Sequence, residues 1–503
     1  MPKRASDVIL ELPIDTSTDV PLHRQVYAGI KELILSGRLR PGARLPASRA
    51  LARDLGLSRT TILTAVDQLT LEGFTVGKIG SGTRVSSNVP TQRRRSSAVA
   101  ARSSRLESPP LSRRGRQLVS AVPRAKPATR PPVPLRPGYP AVDLLPLDSW
   151  ARLTAKHWRS ALETFTAHSD SLGYRPLREA ICDHVWSTRA VRCEPDQVLI
   201  TAGAQHALSL CAQTFADGGE SVWIEDPGYP RARAAFASAG LRLTPVPVDR
   251  DGLDVASGIS ADPDARLIYV TPSFQCPLGV TMSLARRFEL LRHAAQKKAW
   301  IIEDDYFSEY RHGCDPVASL QSLDTNARVI YIGNFSKTVV PFLRIGFVIA
   351  PAGCIAALKR ARIATSRQPP GVDQAALSEF IADGHLQRHI AATLRVYRER
   401  QETLVDALGR DAAGLLESSP AGTGMYLVAW LPPSLDDCLA VQAAAARNVD
   451  SVALSTFALR PLPRGALVLG YSGYEIGAIR RAVAQLAAAL APLVEKRTHR
   501  NKR

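Results

Sequence analysis

Lys337 lies in the segment GNFSKTVVPFLRIGF, just past an apolar run that reads as a strand, so its amine is expected at the carboxyl end of a sheet, where clefts form. Asp304 and Asp305 follow another such run, Trp300-Ile301-Ile302, and one of the two carboxylates should project from the same edge. In ITAGAQHAL, Gly203, Ala204 and Gln205 fall where a helix should start after a strand ending near Thr201; free amides and the positive dipole end at such a start can hold a phosphate dianion. Ser336 and Arg344 sit on the Lys337 segment, and Arg344 offers a guanidinium fork to the same anion. Tyr229, in EDPGYPRAR, is a ring-stacking candidate, and Tyr306 could bond a phenolic oxygen. An amine for an imine, an acid facing a ring nitrogen, a stacking ring and an anion cup are what pyridoxal phosphate requires. Singly, each residue has a plainer account as surface lysine, strand-end acid or core tyrosine; their company and order carry the reading.

These residues need a scaffold. Strand-like runs at 198–201, 221–224, 266–271, 299–302, 329–332 and 345–350 alternate with helix-like stretches. That alternation predicts an α/β domain over 137–492, with a mostly parallel sheet covered by helices and a smaller C-terminal lobe.

A different pattern occupies residues 16–86. A helix over 23–36 would bury Val26, Ile30, Leu33 and Ile34 and stop at Gly37. Two more follow, with Ser48 and Ser58 as caps and Leu55-Gly56-Leu57-Ser58 as the tight turn between them. In the later helix Ile62, Ala65, Val66 and Leu69 point inward, leaving Arg59, Thr60, Leu63 and Thr64 outward near its start, where a recognition helix meets the major groove. Beyond Gly73, two short strands around Gly80-Ser81-Gly82, with Lys78 and Arg84 beside them, read as a wing.

The 503-residue chain carries a formal charge of +18, unevenly spread. Between Arg93 and Arg136 twelve basic residues face one acid, Glu107, so eleven of the eighteen excess charges lie there. Rich in Arg, Ser, Pro and Ala and without apolar period, residues 87–136 read as a linker, a coil of about 50 residues spanning ~40 Å. Residues 493–503 read as a basic tail. The seven cysteines show no C-x-x-C spacing, which indicates buried free thiols rather than a metal site or disulfide framework. No apolar run reaches the ~18 residues of a membrane span and the start, Met1-Pro-Lys-Arg, lacks a signal core; a cytoplasmic protein is expected.

With LPASRALARDLGLSRTT and GSGTRV, residues 21–86 resemble the GntR-type winged helix-turn-helix. With ITAGAQHAL, EDPGYP, VTPSFQCPLG, IIEDDYFSEY and GNFSKTVVPFLRIGF in order, the remainder resembles fold-type I aminotransferases, and the whole chain looks like a MocR-type regulator. The resemblance implies Lys337 as the Schiff-base lysine for pyridoxal phosphate and Asp304 as the pyridinium partner. It implies Tyr306 on the phenolic oxygen, Tyr229 stacked on the ring, and Ala204, Gln205, Ser336 and Arg344 around the phosphate. Double-stranded promoter DNA would be met by Arg44, Ser48, Arg49, Ser58, Arg59, Thr60, Thr61, Thr64, Lys78, Gly80, Ser81 and Gly82, and the protein would act as a head-to-tail homodimer. It is expected to sense pyridoxal phosphate or an amine or amino-acid effector; the alternative is a working aminotransferase that carries a DNA-binding domain, and a third reading makes the large domain a dimerisation scaffold. Two departures bear on catalysis: Cys276 replaces an asparagine before Pro-x-Gly, and Val468 stands where a substrate-carboxylate arginine is usual, leaving Arg460 or Arg464 as substitutes.

Overall fold

The computed structural model describes residues 12–78, 82–89, 111–121, 133–166, 170–307, 309–310, 318–366, 369–418, 424–433 and 435–500, and the chain divides between Pro110 and Leu111 into two compact units. In the first unit, α1 (Leu22–Leu35) buries Val26, Ile30, Leu33 and Ile34, the stripe expected from their spacing. Helix α2 (Ser48–Asp54) and helix α3 (Arg59–Leu71) complete the core with Leu51, Ala52, Ile62, Ala65 and Leu69. Ser58 caps α3, its Oγ accepting the Thr61 N–H at 3.1 Å. Ser48 does not cap α2: Ala47 holds the cap position and Ser48 is already helical, its Oγ instead receiving Arg59 Nε at 3.5 Å. Strands β1 (Thr75–Lys78) and β2 (Gly82–Val85) pair antiparallel as the expected wing.

The second unit starts inside the stretch read as linker. Helix α4 (Arg113–Ala121) forms there, an arginine-rich segment too poor in apolar residues to declare itself, and Arg114 Nε donates to the Ser238 carbonyl at 3.1 Å. Further on, Leu135 is fully buried and its carbonyl accepts the Gly470 N–H at 2.8 Å, so the packed domain begins before residue 137.

The large sheet has the order β3 (Val198–Thr201), β10 (Gly346–Ile349), β9 (Val329–Asn334), β8 (Trp300–Asp305), β7 (Leu267–Val270), β4 (Ser221–Asp226), β5 (Arg242–Asp249) and β6 (Gly252–Leu253). Neighbours from β9 through β5 run parallel, whereas β10 is antiparallel to both β3 and β9 and β6 is antiparallel to β5. The central strands are buried on both faces, which is why they read as unbroken apolar runs. Helices α5 (Arg175–Arg189), α6 (Ala204–Phe215), α7 (Pro230–Ser238), α8 (Leu284–Lys297), α9 (Ala352–Thr365) and α10 (Gly371–Ala382) supply the covering layers, with core clusters on either face.

The smaller lobe is an antiparallel sheet, β11 (Glu417–Ser418), β12 (Tyr426–Trp430), β14 (Ala466–Gly470) and β13 (Val452–Ala453) in that order, packed with α11 (His385–Asp411), α12 (Asp437–Ala446) and α13 (Ile476–Arg500). Helix α13 is long and apolar enough over Ile476–Val494 to cross a membrane, but Ile479, Val483, Leu486 and Leu490 are fully buried against the lobe's core. It continues through Arg500, so most of the expected tail is helix.

Candidate cofactor site and DNA-reading face

Strand alternation separates the two acids at the end of β8, because successive side chains point to opposite faces. The run expected to end before them extends through both. Asp305 Oδ2 is held by Arg189 Nε at 2.7 Å and the Tyr331 hydroxyl at 2.8 Å, and the Arg189 Nη2 also reaches Ser273 Oγ. Asp305 Oδ2 is thereby committed to structure, while its Oδ1 is buried without a partner. Asp304, on the other face, receives only the Tyr269 hydroxyl on Oδ2 at 2.8 Å; its Oδ1 is buried without a partner. Burial pushes the Asp304 carboxyl up to about 7, against the Tyr269 hydrogen bond, and the neighbouring Asp305 adds to the rise. A protonated ring nitrogen is the donor that such an atom lacks, so the residues present fit pyridoxal phosphate here.

Lys337 follows β9 by a short turn, and its Nζ donates to the Gly138 carbonyl at 2.7 Å. Burial lowers its pKa, and the charge of Arg231 lowers it further, which favours the neutral amine that can attack a carbonyl. Gly138 is delivered by the segment that crosses β14, where a side chain on Gly470 would lie 2.1 Å from the Arg136 carbonyl oxygen. Long-range placement of this kind left no local signal in RPGYP.

The candidate anion cup lies at the start of α6. Gly203 caps the helix at φ 86° and ψ 174°, a conformation essentially reserved for glycine, and the first amides, of Ala204 and Gln205, have no carbonyl one turn earlier. Arg344 leans over this loop: its Nε would lie 4.0 Å from a Cβ at Gly203. Gln205 Nε2 donates to the Arg231 carbonyl at 3.1 Å, while its Oε1 is buried without a partner. Ser336, half-buried beside Lys337, has its N–H on Asn334 Oδ1 at 3.3 Å.

Tyr229 caps α7 and lies within electrostatic reach of Asp304, Arg344 and Cys276; burial first, then Asp304, raises its hydroxyl to about 12. Tyr306 sits 3.0 Å, oxygen to oxygen, from the Tyr426 hydroxyl, and both phenols lie close enough to the buried Cys276 thiol to counter the rise that burial gives its pKa. Tyr426, from β12, is the hydrogen-bonding neighbour of Tyr306 that sequence reasoning missed. Glu225 was missed too. Its buried carboxylate accepts from Thr271 N at 3.1 Å, Thr271 Oγ1 at 2.5 Å and Gln275 Nε2 at 3.2 Å, fixing the loop that presents Cys276. Of the two candidate substitutes for the absent arginine, one is paired and the other exposed. Arg464 is tied to Glu417 at 2.8 Å, and Arg460 is exposed on a loop whose Leu459 and Arg460 amides are clamped by Asp226. Val468 pairs with Val428 and Val452 in an apolar register.

In the reader unit, Arg59, Thr60, Leu63 and Thr64 are exposed along one side of α3, and Arg44 and Arg49 lie on the segments before it. Thr61 is drawn inward onto Ser58, Oγ1 to Oγ at 2.8 Å. Arg84 bonds the Gly42 carbonyl at 3.0 Å, and Gly82 opens β2 next to Arg44, whose Nε would lie 3.0 Å from a Cβ there. Gly80, Ser81 and the Lys78 side chain lie outside the described residues.

The family "Bacterial regulatory proteins, gntR family" matches residues 22–85, and "Aminotransferase class I and II" matches residues 138–461. A Rhizobium meliloti protein, "Probable rhizopine catabolism regulatory protein MocR", is 38% identical over 485 residues, 96% of each chain. The "HTH-type pyridoxine biosynthesis transcriptional regulator PdxR" of Corynebacterium glutamicum is 30% identical over 96% of this chain and 99% of its own. Among solved structures, the α-aminoadipate aminotransferase LysN of Thermus thermophilus, complexed with N-(5'-phosphopyridoxyl)-L-leucine, superposes with a TM-score of 0.66 at 28% identity. The match covers 76% of this chain and 96% of that one.

Proposed function

The chain belongs to the MocR-type GntR regulators, and we propose that its aminotransferase-like domain holds pyridoxal phosphate through Lys337 to sense the cofactor itself or an amine or amino-acid effector. The helix-turn-helix makes it a DNA-binding transcription regulator; the proposal concerns what governs that binding. Its main support is the buried, partnerless Asp304 Oδ1 at the carboxyl edge of the sheet, an acceptor that calls for a cationic donor. When bound, pyridoxal phosphate supplies an aldehyde for a primary amine and a ring that withdraws electrons.

Each residue has a task toward that group. Asp304 would accept the ring N–H, the first α6 amides and Arg344 would hold the phosphate, Tyr229 would serve as the stacking ring, and Tyr306, hydrogen-bonded to Tyr426, would donate to the phenolic oxygen. The Gly138 carbonyl accepts from the Lys337 amine, and burial lowers the pKa of that amine, which favours its neutral form. A change of ligand would alter lobe packing, and differential affinity for two arrangements of a cytoplasmic homodimer would reposition the readers.

An amino-acid aminotransferase is the second reading, favoured by similarity to LysN and to the "2-aminoadipate transaminase" of Thermus thermophilus, 30% identical over 71% of this chain. Val468 among valines, with Arg464 engaged by Glu417, speaks against turnover of α-amino acids. The test is to incubate wild type and Lys337→Ala with pyridoxal phosphate, reduce with borohydride, and map adducts by mass spectrometry. A pyridoxyl group at position 337 in wild type alone is expected. Equal scattered labelling of surface lysines in both proteins would sink the proposal.

A further inference from the structure

Helix α5 ends where Ala190 adopts φ 54°, and the chain turns back with Val191 N bonded to the Val185 carbonyl at 3.3 Å. The reversal brings Cys193 alongside Cys182, and the two sulfurs lie 3.3 Å apart, closer than a van der Waals contact between thiols. Both are half-buried free thiols at the rim of one core cluster, and neither has a task in the cofactor site. Cys211 and Cys276 are enclosed, and Cys438 is exposed with only Ser455 Oγ at 3.5 Å.

We propose that Cys182 and Cys193 are a peroxide-reactive pair that closes into an intramolecular disulfide. The Cys193 S–H donates toward the Cys182 sulfur, and this hydrogen bond lowers the Cys182 pKa; Arg178 assists, while burial, Asp183 and Glu194 oppose. Cys193 is pushed up correspondingly by the same contact and by burial. With the two sulfurs in contact, attack through either thiol leaves the other in place to resolve it, and the hydrogen bond favours Cys182 as the nucleophile and Cys193 as the resolving thiol. The Cys182 thiolate attacks one oxygen of hydrogen peroxide, forming an S–O bond, breaking O–O and releasing hydroxide, which takes up the proton lost by the thiol. Cys193 sulfur then displaces the hydroxyl from the sulfenic acid, forming S–S and releasing a second water. In sum, two thiols are oxidised and one peroxide is reduced to two waters.

The closed ring would fix the turn that joins α5 to β3. Helix α5 carries Arg189, which braces Asp305 beside Asp304, and β3 leads into the Gly203 cup, so the bridge would tie together two supports of the candidate site. Reach is not limiting, because closing 3.3 Å to a bond needs only small side-chain rotations.

The experiment treats the full-length protein with hydrogen peroxide at neutral pH, blocks free thiols with an alkylating reagent and maps peptides by mass spectrometry without reductant. The expected product is a 182–193 crosslink lighter by two hydrogens, restored to two alkylatable thiols by dithiothreitol. In Cys193→Ser, Cys182 should instead carry a dimedone-trapped sulfenic acid. The exposed Cys438 reports that the oxidant acted. If Cys438 oxidises while Cys182 and Cys193 both remain alkylatable, or if Cys182 in wild type links only to Cys438 of another molecule, the proposal is overturned.

Discussion

At Asp304 the environment works against the charge that the proposed cofactor needs. Burial raises the carboxyl from 3.8 to about 7, so the unliganded fold keeps its protonated form only below that pH. A group whose folded pKa is raised contributes stability that is complete below its unfolded value and is lost as pH rises through the folded one. Unliganded wild type should therefore lose thermal stability relative to Asp304→Asn between about pH 4 and about pH 7, by a few degrees, while the variant binds pyridoxal phosphate more weakly. Parallel melting curves at pH 5 and pH 8 would refute the assignment. Lys337 and Tyr229 could be placed from the sequence because each follows a strand within a short punctuated block, whereas spacing does not tell Asp304 from Asp305, since both lie inside β8. Tyr426 and Gly138 could not, since they arrive from more than a hundred residues away, as the Tyr306 to Tyr426 and Lys337 to Gly138 hydrogen bonds show.

At the level of elements, the anion cup depends on one backbone conformation. Gly203 at φ 86° and ψ 174° lets the chain leave β3 and start α6 with its amides turned outward, and Gly346 allows the neighbouring strand to approach the same loop, where a Cβ would lie 3.0 Å from the Gly203 Cα. An alanine at 203 should cost about 1–3 kcal/mol of stability. It should also weaken the binding of pyridoxal phosphate more than that of its unphosphorylated analogue, a difference that calorimetric titration would resolve; equal losses for both would mean that the loop does not hold phosphate. Elements with strong periodicity, such as α1, or continuous apolar runs, such as β3 and β9, are legible from composition alone. Helix α4 is not, because arginines and a glycine fill a short segment whose Leu118 and Val119 remain exposed. The true end of β8 is hidden for a related reason: acids rarely sit inside a buried strand, yet this one runs on through Asp304 and Asp305.

Over the whole molecule, charge and reading are divided unevenly. The reader exposes Arg59 at the start of α3, next to Ser48, whereas most of the basic excess lies between residues 93 and 136. Base contacts carry sequence preference and phosphate contacts carry salt dependence, so the two should separate by mutation. Arg59→Ala should lower the ratio of specific to non-specific binding by an amount on the order of 1–3 kcal/mol while leaving the salt slope nearly unchanged. Replacing Arg93, Arg94 and Arg95 by glutamine should do the reverse, flattening the plot of log affinity against log salt by up to ~0.9 for each phosphate no longer neutralised and leaving sequence preference intact. Fluorescence anisotropy on a promoter fragment recovered by binding selection and on a scrambled duplex, at several salt concentrations, measures both quantities at once. If the triple variant lost discrimination as well as slope, the arginines before Arg136 would belong to the reading surface, and the linker would have to be counted as part of the DNA-binding unit.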